Sequence, residues 1–290
     1  MSLANAVAAG LGDTITASRP VSGGSINQAM RLDLASGRRV FVKSRAGAPA
    51  AEFAAEAAGL AWLAEAVAIA VPEVLAFGGG DEPWLALEWV APGALTAEGE
   101  EELGRDLAAL HRSGAEANGV LPPGSPDELL RIGSVELPSR PGPGWPELYA
   151  EQRLRPLLAM ALEQGSISRS DAEAVDSVCD RIEDLAGPGE PPSRLHGDLW
   201  GGNVLADSRG HPWLIDPAAH GGHREIDLAM LRLFGGPSER VFSAYDEAHP
   251  LAEGHGERVE LWQILPLLVH AVLFGGSYGS AAGQAARRYG

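Results

Sequence analysis

The chain is nearly without cysteine and lysine, and both scarcities limit what it can be. A lone cysteine, Cys179, among 290 residues excludes an intramolecular disulfide and fits a reducing, cytoplasmic setting. Lysine occurs once, at Lys43, so the other 21 of the 22 basic residues are arginine. Against them stand 39 acidic residues and a formal net charge of −17, so the chain lacks the basic face with which nucleic-acid binders displace counterions. The same charge disfavours an anionic membrane surface. Also missing are a basic-then-apolar leader pattern and an apolar run of the ~20 residues that span a bilayer. Leu261–Ala286 carries no Asp, Glu, Lys or Arg, but Gln263, Pro266 and His270 interrupt it and its second half is rich in Gly and Ser. It reads as buried helix. What is present is ordinary for a globular protein, 45% hydrophobic and 21% charged, with enough chain for two lobes.

Residues 1–90 read as a β-rich unit. Thr14–Val21 and Ala29–Leu34 are strand candidates flanking Ser22-Gly23-Gly24-Ser25, and Arg39–Lys43 alternates as a third strand after the Ser36-Gly37 turn signal. Ala50–Ala66 is alanine-rich, with Phe53, Leu60 and Leu63 near helical spacing. Val74–Phe77 and Trp84–Val90, joined through Gly78–Asp81, complete the expected sheet. Ala91-Pro92-Gly93 breaks the pattern and marks the expected boundary with a mainly helical unit over 91–290. There Thr96 is placed to N-cap a helix that aligns Leu103, Leu107 and Leu110. Gly114–Pro146 reads as a long loop with one short helix near Asp127–Arg131. Helices are expected over Glu147–Glu163 and from Ser170, whose spacing to Glu173 is that of a capping box. The resulting fold class is α+β and bilobal.

The densest chemistry is His196-Gly197-Asp198-Leu199-Trp200-Gly201-Gly202-Asn203, followed by Trp213-Leu214-Ile215-Asp216. Asn203 follows Asp198 by five positions, and Asp216 lies across a hairpin turned by Ser208-Arg209-Gly210. Any one of these residues alone is an ordinary turn residue. Together they form a phosphoryl-transfer pattern: Asp198 to accept a hydroxyl proton, and the Asn203 amide oxygen and Asp216 carboxylate as hard ligands for Mg²⁺ beside phosphates. Upstream, Gly23, Gly24 and Ser25 sit between two strands, where small residues let N–H groups approach a phosphate.

Lys43 closes an apolar strand and Glu56 lies on the next helix. In a kinase fold such a lysine meets the α- and β-phosphates of ATP and is held by a helix carboxylate. Glu52, one turn earlier, is the alternative partner. A lysine kept in a chain that otherwise uses arginine is informative, because the two cations differ in shape and hydration. As the one side-chain amine, Lys43 is expected to react with amine reagents and to be shielded by Mg-ATP. Glu88 and Val90 stand where a hinge would read adenine through the Glu88 carbonyl and the Val90 N–H. Trp200 is a candidate either to stack on a sugar or to fill the core. His196, His220 and His223 match no compact zinc spacing and read as backbone-positioning residues, and Asp227 as a support for the catalytic loop.

These segments resemble the aminoglycoside-phosphotransferase and choline-kinase superfamily and, more narrowly, the fructosamine-3-kinase family. The narrower likeness is carried by Tyr149-Ala150-Glu151-Gln152-Arg153-Leu154, by His196–Asn203 and Asp216-Pro217-Ala218, by Gly222–Met230, and by Leu233-Phe234-Gly235-Gly236. It implies a bilobal protein-kinase-like fold, ATP with Mg²⁺, and ketosamine substrates, free or protein-bound. Phosphorylation of the sugar in these adducts destabilises them and releases the amine. By the same resemblance Asp198 is the base, Asn203 and Asp216 are the metal ligands, and Lys43 with Glu56 holds phosphate. Asp216-Pro217 departs from the Asp-Phe-Gly of protein kinases, which argues against protein phosphorylation. Ser25 stands where some relatives carry a glycine-loop cysteine. A kinase of another hydroxylated metabolite (an aminoglycoside, choline or a thiosugar) and a nucleotide-binding pseudokinase are the alternatives.

Overall fold

A helix that the sequence pattern does not announce opens the chain, α1 (Leu3–Leu11). Its alanine-rich face offers only Val7 as a buried residue, so its amphipathic signal is weak, and residues 1–90 are less purely β than expected. The computed structural model describes residues 2–21, 27–142 and 144–290. Gly23, Gly24 and Ser25 therefore lie outside the described residues.

After α1 come β1 (Ile15–Pro20), β2 (Gln28–Leu34), β3 (Arg39–Ser44), α2 (Ala50–Glu65), β4 (Val74–Gly78) and β5 (Trp84–Glu88). The strands form one antiparallel sheet in the order β1-β2-β3-β5-β4. Successive strand residues point to opposite faces, and this sheet follows the rule closely. Val40, Val42, Trp84 and Ala86 pack with Val7 of α1, whereas Phe41, Leu85 and Leu87 pack with Phe53, Ala57 and Leu60 of α2. Lys43 shares the face of Phe41, so the strand period itself aims it at α2.

β5 ends at Glu88, two residues short of the expected Val90. The chain then crosses to the next element pair, with the Gly93 N–H donating to Ala206 O at 2.8 Å. Helix α3 (Ala97–Arg112) is capped as expected, the Thr96 hydroxyl accepting the Gly99 N–H at 3.0 Å. The expected short helix near Asp127–Arg131 is instead a hairpin of β6 (Leu129–Ile132) and β7 (Val135–Pro138). Leu130, Ile132, Val135 and Leu137 are buried, an inward set of strand period. The Asp127–Arg131 pair does form, at 2.6 Å, but it leads into a strand rather than along a helix.

A nearly continuous helix follows: α4 (Trp145–Leu148), a π-helical turn over Tyr149–Leu154, and α5 (Arg155–Gln164). Pro156 has no N–H to return to Gln152 O, and the Arg153 guanidinium donates to that carbonyl instead, at 3.1 Å. Ser168, not Ser170, caps α6 (Arg169–Asp180), accepting the Asp171 N–H at 3.1 Å. α7 (Ile182–Leu185) and β8 (Ser193–Leu195) come next, then the hairpin β9 (Val204–Ala206) and β10 (Pro212–Leu214). β11 (His220–Gly222) pairs with β8. The chain ends in α8 (Glu225–Leu233), α9 (Glu239–Ala248), α10 (His255–Phe274) and α11 (Tyr278–Ala286).

Two cores underlie the helical part. One gathers residues of β6, β7, the π-turn, α5, α6, α10 and α11. The other joins Leu103, Leu107 and Leu110 of α3 to Val241 and Tyr245 of α9, and also takes in Trp62 and Leu63 from the end of α2. Helix α2 thus spans both parts of the molecule. Among the described residues no helix is long and apolar enough to cross a membrane.

Candidate active site

Where the sheet meets the helical part, Lys43 is 4% exposed, and its ammonium lies 2.5 Å from Glu56 Oε2 and 2.8 Å from Asp216 Oδ1. Glu56 follows Phe53 by three positions on α2, so the helix surface that packs on the sheet also presents this carboxylate. Glu52, the other candidate, pairs with Arg45, the residue just past the end of β3. Burial works against the Lys43 charge, but Glu56 and Asp216 outweigh it and hold the ammonium well above its ordinary range. The lone amine is therefore shielded before any nucleotide binds, contrary to its expected ready labelling.

The His196–Asn203 loop is held from below by Asp227, at the start of α8. Its carboxylate accepts the His196 N–H at 2.7 Å and the Gly197 N–H at 2.9 Å. Burial opposes its charge, yet His111, His196 and the loop N–H groups keep its carboxyl below the usual range. His111 reaches Asp227 at 3.3 Å and Tyr245 Oη at 2.8 Å. This third layer was not found from sequence, although a histidine beside the apolar stripe of α3 was its available signal. Gly197 has φ of 82°, and a Cβ there would fall 2.1 Å from Ala218 O, so no other residue fits. His196 accepts the Asp198 N–H on Nδ1 at 3.2 Å and donates from Nε2 to Ile215 O at 2.9 Å. His220 bonds Ala218 O at 2.9 Å, and His223 stacks on Trp262. All three histidines position neighbouring groups. Among the described residues no three His, Cys, Asp or Glu side chains gather as a metal cage.

Asn203 and Asp198 meet directly. The amide nitrogen donates to Asp198 O at 2.8 Å and to Asp198 Oδ2 at 3.1 Å, which leaves the amide oxygen for another partner. The Asp198 carboxyl is pushed up to about 7 by burial, against the Asn203 bond, with the Asp216 and Asp227 charges adding to the rise. Asn203 O also accepts the Ile215 N–H at 3.0 Å, tying the loop to the strand before Asp216.

Asp216 has φ of 53° and precedes Pro217. A left-handed residue is uncommon, and a following proline narrows the choice further; such backbone costs roughly 1–3 kcal/mol and persists where surroundings impose it. Here it brings the carboxylate to Lys43 while leaving the side chain 47% exposed. An exposed carboxylate and a free amide oxygen suit Mg²⁺, which takes few protein oxygens and fills its shell with water and phosphate. The donor set fits that ion.

At the other end of β5, Glu88 N–H donates to Glu73 O at 2.9 Å, and Val90 lies past the strand. Trp200 is 39% exposed, which excludes a core-filling role. Its ring lies over Gly202, where a Cβ would come within 2.2 Å, and meets Phe234 edge to face at 6.5 Å. Trp200, Gly202, Val204, Phe234, Gly236 and Glu100 line a cleft of about 350 Å³.

A sheet-and-helix framework that joins a buried Lys–Glu pair to a His-Gly-Asp loop defines a protein-kinase-like phosphotransferase. The choline kinase LicA of Streptococcus pneumoniae shares this fold with a TM-score of 0.64 at 17% identity, over 98% of this chain and 96% of its own. LicA is also known in complex with AMP. Residues 2–289 match the model of the fructosamine kinase family, and the chain belongs to that family as a small-molecule kinase. A Thermobifida fusca structure assigned as a fructosamine-3-kinase is 42% identical, with a TM-score of 0.89 over 99% of this chain and 97% of that one. A Thermus thermophilus protein named for ketoamine kinase activity is 35% identical over 266 residues, 92% of this chain and 91% of its own.

Proposed function

We propose that the protein uses Mg-ATP to phosphorylate a sugar hydroxyl of ketosamines, and that it thereby serves the removal of sugar adducts from amines, protein-bound or free. The observation that carries this reading is the convergence of Lys43, Glu56 and Asp216 with the Asp198–Asn203 pair in a member of the fructosamine kinase family.

In this proposal residues 1–90 form the nucleotide lobe and 91–290 the acceptor lobe. Lys43 binds the α- and β-phosphates, Glu56 fixes it, and Gly23, Gly24 and Ser25 cover the phosphates. The Glu88 carbonyl and Val90 N–H read adenine. Asn203 and Asp216 hold Mg²⁺, which neutralises charge on the phosphates when bound. Asp198 accepts the proton of the sugar hydroxyl as its oxygen bonds the γ-phosphorus and the bond to ADP breaks. A carboxyl whose pKa lies near 7 is suited to that task at neutral pH. Trp200 stacks on the sugar. A cytoplasmic setting belongs to the same proposal, where the buried Cys179 thiol, pushed up to about 12 by burial, is unreactive.

The test is ADP release with Mg-ATP and a panel of ribulosamines, erythrulosamines, fructosamines, choline and aminoglycosides. Turnover confined to the ketosamines is expected. A preference for choline or an aminoglycoside would replace the substrate, and no turnover with any acceptor would restore the pseudokinase reading.

A further inference from the structure

Among the described residues lining the Trp200 cleft, Glu100 is the one that carries charge. It lies in the first turn of α3, and its two carboxylate oxygens accept the Ser238 N–H at 3.0 Å and the Ser238 hydroxyl at 2.5 Å. Those bonds hold its carboxyl below the usual range, so it is an anion at neutral pH. Each oxygen keeps lone-pair capacity for a further donor. The same cleft presents the rings of Trp200 and Phe234, crossed at 83°, above backbone surface at Gly202 and Gly236. One anion together with two aromatic rings favours a cation that carries apolar substituents, since ring faces attract cations and the carboxylate bonds N–H donors. An anionic ligand meets no counter-charge there, and a neutral polyol brings no positive charge to pair with the carboxylate.

We propose that Glu100 is a specificity-determining residue that reads the protonated secondary amine of the substrate, with Phe234 and Trp200 flanking that cation while the sugar extends toward Asp198. The inference rests on the ketosamine reading above and deepens it: the cleft selects the amine as well as the sugar. It also gives Phe234 a role that its place in the sequence did not suggest. The competing role for Glu100 is a strut that ties α3 to Ser238, the N-cap of α9.

Two acceptors separate these roles: a 1-alkylamino-1-deoxyketose and its 1-alkoxy counterpart, in which an ether oxygen replaces the amine. The wild type should favour the amine. Glu100→Gln should raise KM for the amine about tenfold, the scale of a charge-assisted hydrogen bond, and leave KM for the ether unchanged. Ser238→Ala removes the hydroxyl half of the strut while keeping the backbone bond and the carboxylate, and should retain the amine-over-ether ratio. Equal KM increases for both acceptors with Glu100→Gln, or loss of the ratio in Ser238→Ala to the same degree, would overturn the proposal. So would a wild type indifferent to the amine, with the ketosamine reading left standing. A wild type that phosphorylates neither compound would overturn both.

Discussion

The two sides of the candidate site are prepared in opposite ways. On the nucleotide side, the Lys43 ammonium is buried between Glu56 and Asp216, so its charge is compensated before any ligand arrives. On the acceptor side, Asp198 has, among the described residues, only the neutral Asn203 amide as a side-chain partner, and its carboxyl is pushed up to about 7. The first arrangement keeps a cation fixed and charged, as the phosphate role proposed for Lys43 needs. The second leaves a carboxyl that gains most when a cation or a proton comes to it, as the base role proposed for Asp198 needs. Opposite electrostatic preparation within one cleft is what an acid–base step beside a phosphate site requires.

Asp198→Asn breaks the acceptor side alone. It should lower turnover by at least ~10²-fold, the lower end of general-base contributions, while nucleotide binding is retained. In the wild type, kcat/KM should fall as pH drops below about 7, because Asp198 then takes the proton it must receive from the sugar. A steady-state pH profile checks this, and a flat profile from pH 5 to 8 would remove Asp198 as the base.

Lys43→Met breaks the other side and should behave differently. It leaves the largely buried Glu56 carboxylate facing half-exposed Asp216 with no counter-charge, so stability should drop by up to roughly 3 kcal/mol along with activity. Denaturant unfolding measures it. Asp216→Ala should have the smaller structural effect, since its carboxylate is half exposed and Lys43 keeps Glu56 as a partner, but it should weaken the Mg²⁺ dependence of ATP binding. Titration of ATP affinity against Mg²⁺ would show an unchanged dependence if Asp216 were not a ligand.

Most of the residues that carry this contrast were legible in the sequence, because they are polar and stand at fixed spacing, whereas their burial, which sets the charges, was not. Asp198, Asn203 and Asp216 are close in the chain, and the loop and hairpin that join them are short. Lys43 was legible as the partner of a carboxylate on the next helix, but Glu52 and Glu56 were both open, and the structure chooses by pairing Glu52 with Arg45. The direct contact of Lys43 with Asp216 was not legible, since 173 residues separate them and the left-handed turn at Asp216 has no sequence marker. Helix α1 was missed because its run of alanines marks no distinct apolar stripe. The β6–β7 hairpin was missed because the surrounding Pro and Gly concealed its alternation. The capping serine of α6 was misplaced by two residues, since Ser168 and Ser170 offer nearly equal signals and only the backbone distinguishes them. The layer under the catalytic loop was half legible: Asp227 from its place at a helix start, His111 and Tyr245 not at all.

The contrast between the two sides is tested most directly by thermal unfolding of the wild type and Asp198→Asn at pH 8 and pH 5. A carboxyl whose folded pKa exceeds its unfolded value, ~3.9, destabilises the fold once ionised, so the penalty is full above about 7 and fades as pH falls toward 4. The variant removes the ionisable group, so the inactive enzyme should be the more stable one at pH 8. The gain should be on the order of 2 kcal/mol, a few degrees in Tm, and should narrow at pH 5. A variant that is equally or less stable than the wild type at pH 8 would contradict the account.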